Sequence, residues 1–129
     1  MDIGRRDLIV GSLSLASLGS AGCATIAGEG QMHGLIGKMI AAPGQREALI
    51  AILLQGVSGM PGCLSYVVAK DPADENGIWI TEVWDSKESH AASLSLPPVK
   101  AAIQKARPII AGFGDRRETV PVGGHGLAR

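Results

Sequence analysis

The stretch "IWITEVWD" (Ile78–Asp85) holds the strongest candidates for chemistry in the sequence. Glu82 and Trp84 are two residues apart, so in a β-strand they share one face about 7 Å from each other. A carboxylate between Ile80 and Trp84 is expected to be partly desolvated, which favours uptake of a proton and makes Glu82 a candidate general base. The alternative for Glu82 is an ion pair with Lys38 or with an arginine across the sheet.

A phenol and an imidazole complete the set of candidate catalytic groups. Tyr66 lies in "CLSYVVAKD" (Cys63–Asp71), where its hydroxyl can hydrogen-bond a ligand hydroxyl. His90 follows Trp84 and can face the same region. The plain alternatives are a half-buried strand tyrosine and a lone surface histidine. His33 and His125 lie near the ends of the predicted domain and are given little weight.

Composition argues against metal and nucleic-acid chemistry. The two cysteines are Cys23 and Cys63, and no Cys/His spacing typical of a metal site occurs. A lone Cys63 is more typical of a small buried apolar residue than of a nucleophile. Twelve basic and twelve acidic side chains cancel, and no Lys/Arg cluster lies outside the N-terminus. Nucleic-acid binding is therefore not expected.

Alternating and helical patterns predict the elements that would position these groups. "HGLIGKMIAA", "CLSYVVAKD", "IWITEVWD" and "GFGDRRETVPV" are typical of strands, and "GQREALIAILLQGVSG" is typical of a helix. Asn76-Gly77 indicates a hairpin between the second and third strands. Ser86 is a predicted N-cap for a helix from about Lys87 to Leu94. Pro97-Pro98 is predicted to break that helix, which then resumes from Val99 to Ile110.

The element order β-α-β-β-α-β predicts an α+β, ferredoxin-like fold with a four-stranded antiparallel sheet and its helices on one face. The other face of the sheet would carry apolar residues such as Trp79 and Val83. One layer of helices cannot cover both faces. The pattern therefore predicts a homodimer in which two sheets pack together.

The first 31 residues are interpreted as an export signal and linker that precede a domain over 32–122. Arg5-Arg6 stands before a weakly apolar run without charges, which is typical of a twin-arginine signal and predicts a periplasmic or cell-envelope location. Cys23 lies in an imperfect lipoprotein box and is a possible lipid anchor. If translation starts at Met32, the protein would instead be cytoplasmic. The Gly-rich tail at 123–129 is predicted to be flexible.

Three stretches, "MHGLIGKMIAAPGQREALIAIL", "MPGCLSYVVAKDPADENGIWITEVWDSKESHAASL" and "LPPVKAAI", resemble the antibiotic biosynthesis monooxygenase (ABM) family over about Met32 to Val122. The resemblance implies a dimeric α+β barrel. Members of the family include enzymes that oxidise phenols and quinols with O₂ and use no metal or flavin. No cofactor is therefore expected here.

The resemblance also assigns roles to particular residues. Trp84 matches the tryptophan that lines the cleft between sheet and helices in the family, with Ile80 beside it as a substrate contact. The alternative for Trp84 is a core anchor for the following helix. Relatives often carry histidines at places that correspond to Ser93 and Pro98, and His90 lies one helical turn before the first of these.

A haem-degrading branch of the family uses an axial histidine and an asparagine that would fall near Ile103 and Gly37. Neither is present, so haem degradation is not expected. The sequence leaves three functions open. The first is a cofactor-independent monooxygenase that acts on a small quinol or phenol. The second is a non-catalytic dimer that binds a small molecule in the same cleft. The third is a purely structural dimer.

Overall fold

The computed structural model describes residues 30–56 and 59–127. The predicted export signal and Cys23 fall on residues 1–29 and lie outside the described residues. From Met32 onward the chain forms one compact unit. Its elements, in chain order, are β1 (His33–Ala41), α1 (Arg46–Gln55), β2 (Cys63–Lys70), β3 (Gly77–Trp84), α2 (Lys87–Ser93), α3 (Pro97–Ala106), a 3₁₀ turn (Arg107–Ile109) and β4 (Ile110–Thr119).

The four strands form one antiparallel sheet in the order β2-β3-β1-β4. This arrangement confirms the predicted α+β, ferredoxin-like fold. Side chains from both longer helices meet the same face of the sheet in one core. That core consists of Ala41, Leu49, Ile78, Ile80 and Ala106.

The start of α2 confirms the predicted N-cap. The Ser86 side-chain oxygen accepts a hydrogen bond of 3.0 Å from the backbone N–H of Ser89. This bond satisfies one of the N–H groups that the first turn of a helix leaves without a partner. It also fixes the direction in which α2 leaves β3, and therefore the placement of His90.

The prediction for the second helical region is wrong at both ends of α3. Pro97 and Pro98 begin the helix rather than break it, because the first helical turn needs no N–H donor from them. The helix ends at Ala106 and not at Ile110, because Pro108 has no N–H to continue the ladder. Ile110 instead begins β4, two residues before the predicted strand.

The loop between β2 and β3 is held from two sides. On the face of the sheet away from the helices, Lys38 Nζ lies 3.0 Å from Asp71 Oδ2 and 3.1 Å from Asp74 Oδ2. Trp79 Nε1 donates to Asp71 Oδ2 at 3.0 Å. From α1, Arg46 Nη1 donates to the carbonyl oxygen of Asp74 at 2.9 Å. Lys38, Asp71, Asp74 and Trp79 are called the outer cluster below.

The predicted hairpin is present, but its connection is longer than a two-residue Asn-Gly turn. Residues 71–76 join the strands, and Gly77 is the first residue of β3. On the face away from the helices, Ile36 is 38% exposed and Val67 is 51% exposed. The apolar character predicted for this face is therefore present on the surface of the chain.

Candidate functional site

A cavity of about 550 Å³ lies between the sheet and the helices. Most of its wall is apolar, with side chains from both helices and from the strands, including Met39, Ile52, Leu53, Val99, Ile103 and Ile110. A volume of this size is typical of sites that enclose small organic ligands. The polar side chains that line it are therefore the groups to examine for chemistry.

Glu82 and Trp84 face the cavity from the end of β3, as the alternation of the strand predicts. The two side chains contact each other: Trp84 Nε1 donates to Glu82 Oε1 at 2.9 Å. Trp84 is only 1% exposed, so its indole is also a core anchor. Trp84 therefore forms part of the cavity wall and is also buried within the fold. The alternative considered for Glu82, an ion pair with Lys38, is not formed, since Lys38 binds Asp71 and Asp74 on the other face of the sheet.

His90 lines the same cavity from α2. Its Nε2 is 3.9 Å from Glu82 Oε1, which is beyond hydrogen-bond length, and its ring lies edge-on to the indole of Trp84 at 5.4 Å. Burial lowers the pKa of His90 below its ordinary value, although the nearby carboxylate of Glu82 opposes this. The imidazole is therefore neutral at pH 7 and has a nitrogen lone pair with which to accept a proton.

His33 is a residue that the sequence reasoning missed. It begins β1, is buried, and pairs in register with Trp84 across the sheet. Its ring centroid lies 5.6 Å from that of His90, and its nearness helps to lower the pKa of His90. His33 does not line the cavity itself. The sequence does contain a signal for the burial of His33. It lies two residues before Leu35, and alternation along β1 therefore places both side chains on the strand face toward the helices.

Tyr66 brings a phenol to the same wall, because it is the register partner of Glu82 on β2. Burial raises the pKa of Tyr66 far above its ordinary value, and the Glu82 carboxylate raises it further. The hydroxyl of Tyr66 is therefore protonated at any ordinary pH and can donate a hydrogen bond to a ligand oxygen. Tyr66, Glu82, Trp84 and His90 are called the cavity cluster below.

Two other positions singled out from the sequence lie differently. Ile80 belongs to the buried core rather than to the residues that line the cavity. Ser93 does line the cavity, but its hydroxyl donates to the backbone oxygen of His90 at 2.6 Å. Because its proton takes part in that bond within α2, the Ser93 hydroxyl does not donate it to a ligand in the cavity.

Within residues 30–56 and 59–127, no group of three or more His, Cys, Asp or Glu side chains is arranged to hold a metal ion. None of the helices in that same part of the chain has the length and apolar character to cross a membrane.

Comparison with known proteins identifies the family. The family model for antibiotic biosynthesis monooxygenases matches residues 32–105. A crystal structure from Chloroflexus aurantiacus J-10-fl, provisionally named an antibiotic biosynthesis monooxygenase, is 69% identical, with a TM-score of 0.74, and the match covers 75% of this chain and 99% of that one. The chain therefore belongs to the antibiotic biosynthesis monooxygenase family.

More distant structures share the fold. A protein of Caulobacter crescentus CB15 with the same provisional name is 18% identical, with a TM-score of 0.67, over 78% of this chain and 99% of that one. A protein of Pseudomonas aeruginosa is 19% identical, with a TM-score of 0.64, over 74% and 98%. A comparison with curated proteins finds no significant match.

Proposed function

We propose that the protein is a cofactor-independent monooxygenase that oxidises a small quinol or phenol with O₂ inside the cavity. The observation that carries the proposal is the convergence of three proton-transfer groups, Glu82, His90 and Tyr66, on the wall of a mostly apolar cavity. Family membership supports a monooxygenase in general terms. The choice of a quinol or phenol follows what the family resemblance implies, and the cavity cluster supplies proton-transfer groups that such a substrate needs.

The proposed reaction needs no reductant other than the substrate. Removal of the hydroxyl proton gives a phenolate, which passes one electron to O₂. The resulting radical pair joins at a ring carbon to form a peroxide anion, which takes back the proton that the base removed and becomes a hydroperoxide. Cleavage of the O–O bond, with loss of the proton on that carbon, leaves a carbonyl and releases water. One oxygen atom of O₂ enters the ring, the other becomes water, and all four electrons come from the substrate.

Different residues of the cavity cluster are proposed to remove the substrate proton and to stabilise the phenolate. Glu82 is the proposed base, and the neutral imidazole of His90, 3.9 Å away, can accept the proton in turn. The protonated hydroxyl of Tyr66 donates to the substrate oxygen and favours the phenolate over the phenol. The apolar wall keeps water from the radical pair and the hydroperoxide.

Oxygen consumption tests this function directly. Purified protein is mixed with a panel of hydroquinones, naphthols and phenols, and O₂ uptake is measured with an electrode alongside quinone formation by absorbance. We expect one quinone per O₂ consumed for at least one compound, above the rate of autoxidation. Absence of uptake across the panel, with protein that is shown to be folded, would contradict the proposal.

A non-catalytic binding protein is the second candidate, and one observation favours it. The carboxylate of Glu82 already accepts a hydrogen bond from Trp84, an interaction that a purely structural role also explains. A binding protein would give saturable binding of a flat aromatic compound by calorimetry without O₂ uptake. The same panel therefore separates the two candidates.

We also propose that two copies pack through the sheet face away from the helices. Exposed Ile36 and Val67 on this face support it, since a second sheet would remove both from water. Light scattering at micromolar concentration should give twice the mass of the chain. A monomeric mass would contradict the proposal, and replacement of Val67 by Lys should shift the mass toward that of a single chain.

Export by a twin-arginine route is a further proposal, and it rests on Arg5-Arg6 ahead of an uncharged, weakly apolar run. Replacement of both arginines by lysine should keep the protein in the cytoplasm. Cell fractionation measures this, and unchanged export would contradict it. Metabolic labelling with a fatty acid tests the proposed lipid anchor at Cys23.

A further inference from the structure

The face of α3 that lines the cavity ends on a cation. Val99, Ala102, Ile103 and Ala106 line the cavity with the three- and four-residue spacing of one helical face. Arg107 occupies the next place in the same series and also lines the cavity. Its backbone is still helical, with φ −49° and ψ −47°, so it continues the stripe rather than turning away from it. Arg107 is therefore a charged residue at a position where the apolar face of α3 would continue with an apolar one.

Arg107 lies at the end of the cavity opposite to Glu82. The strand register places Glu82 beside Leu35 and Ile110 beside Ala41. The six residue steps along β1 from Leu35 to Ala41 span about 20 Å. Arg107 precedes Ile110 by a single 3₁₀ turn, so it lies near the Ala41 end of β1. A ligand that contacts both ends must be elongated.

The surroundings of Arg107 leave its charge available. In the described ranges, no acidic side chain lies within 4 Å of its guanidinium. Phe113 also lines the cavity and is 70% exposed, and Arg107 is itself exposed, so this part of the wall is open to solvent. A cation near the end of α3 also complements the helix dipole. Lys105 in the last turn serves that purpose without lining the cavity.

We propose that Arg107 selects a ligand with an anionic group, such as a carboxylate or sulfonate, at the end remote from the reacting hydroxyl. The substrate class is then an elongated aromatic anion: its phenolic ring lies at the cavity cluster and its anionic group is bound by the guanidinium. This inference rests on the proposed function, because it assigns the substrate of the same cavity. It adds a specificity determinant outside the cavity cluster.

Two fluorescent probes of one shape test the inference. The anionic probe is 6-(p-toluidino)naphthalene-2-sulfonate, which carries its charge at one end of an elongated aromatic frame, and the neutral probe is N-(p-tolyl)-2-naphthylamine. The measured quantity is the ratio of their dissociation constants. Arg107→Ala should lower the preference for the anionic probe by about tenfold or more, the usual value of a hydrogen bond to a charged group, with neutral-probe affinity unchanged. Arg107→Lys should retain part of the preference.

Lys105→Ala is the matched control, because it removes the same charge from the same end of α3 outside the cavity. An unchanged ratio in Arg107→Ala, an equal change in Lys105→Ala, or failure of both probes to bind the wild-type protein would overturn the inference. Oxidation of a neutral quinol together with an unchanged ratio would overturn this inference alone. An Arg107-dependent ratio without O₂ uptake for any compound would support anion selection and contradict the monooxygenase.

Discussion

The two faces of β3 carry the same local arrangement in two different settings. On the outer face, the indole N–H of Trp79 donates to a carboxylate oxygen of Asp71 at 3.0 Å. On the cavity face, the indole N–H of Trp84 donates to a carboxylate oxygen of Glu82 at 2.9 Å. One strand thus presents a tryptophan bound to a carboxylate on each side of the sheet.

The difference between the faces lies in what else binds the carboxylate. Asp71 also receives the backbone N–H of Ala73 at 2.8 Å and the ammonium of Lys38 at 3.0 Å. These partners hold the pKa of Asp71 below its ordinary value, and the carboxylates of Asp71 and Asp74 raise the pKa of Lys38. In the outer cluster one ammonium lies between two carboxylates, and these contacts give the cluster a structural role. In the described part of the chain, Glu82 has only the neutral His90 as a further neighbour with basic character, so its carboxylate remains available to a substrate.

Removal of the cavity-face indole should have the largest effect. Trp84→Ala is expected to lower the free energy of unfolding by about 3–5 kcal/mol, because a fully buried indole leaves a large void. Trp79→Ala should cost clearly less, since Trp79 is only half-buried. Urea denaturation of both variants measures the two values. Equal losses would remove the distinction between the two tryptophans as anchors.

Neutralising the two carboxylates should separate the faces by activity. Glu82→Gln keeps the shape and removes the base, so turnover of a quinol substrate should fall by about 10²-fold or more while the substrate still binds. Asp71→Asn makes the same change on the outer face and should leave turnover close to that of the wild type. If Glu82→Gln turns over at the wild-type rate, Glu82 is not the base, and His90 and Tyr66 become the next candidates.

Loss of the Arg46 hydrogen bonds to the loop between β2 and β3 should lower stability without changing turnover. Arg46→Ala removes donors to the carbonyl oxygens of Asp71, Asp74 and Gly77, and should lower the free energy of unfolding by about 1–3 kcal/mol. Thermal melts and turnover are measured on the same preparation. A fall in turnover at a temperature where the variant is fully folded would show that the outer loop also influences the cavity.

The smallest expected effect is a shift in pH dependence at His90. Its pKa is lowered in the folded state, so folding disfavours the protonated imidazole. The corresponding stability is complete above about pH 6.5, the unfolded value, and is lost as the pH falls through that value toward the folded pKa. Melting temperatures of the wild type should therefore fall between pH 7 and pH 5 more than those of His90→Gln.

The acid limb of kcat/KM should likewise lie below pH 6.5, where neutral His90 is lost. In Glu82→Gln that limb should move to still lower pH, because the carboxylate that favours protonation of His90 is gone. A limb at or above pH 6.5 in the wild type would contradict the role of a neutral imidazole. Turnover in Glu82→Gln is low, so this profile is best taken with a high protein concentration.

Much of the fold follows from local pattern. Strand alternation alone predicts that Glu82 and Trp84 share one face, and the position of Ser86 just before the helical pattern predicts the N-cap. The predicted start of α3 is wrong because a proline pair interrupts a helix only in its interior. In the first turn, where Pro97 and Pro98 lie, proline is compatible with the helix. Only the position of Pro108, one turn before β4, marks the true end of the helix.

The site was harder to predict because it depends on pairing across strands. His33 is 57 positions from His90, and only the register of β1 with β3 brings it against that ring. The ion pairs of Lys38 with Asp71 and Asp74 were hard to predict for two reasons. They require the Lys38 side chain to lie on the outer face of the sheet, and they require the conformation of the loop at 71–76, which Arg46 of α1 stabilises. The position of Arg107 in the cavity wall cannot be predicted from the sequence, because the sequence does not show that the cavity extends to the end of α3.

The alternation along β3 also constrains how the family can vary in length. Insertion of one residue between Gly77 and Glu82 would exchange the faces of every later side chain of β3 and would send Glu82 to the outside of the sheet. Insertion of the same residue in the connection at 71–76 would leave both tryptophans where they are. Tolerance of insertions is therefore expected to change abruptly at Gly77, and a scan of single-residue insertions would show to one position where the candidate site begins to depend on the register of β3.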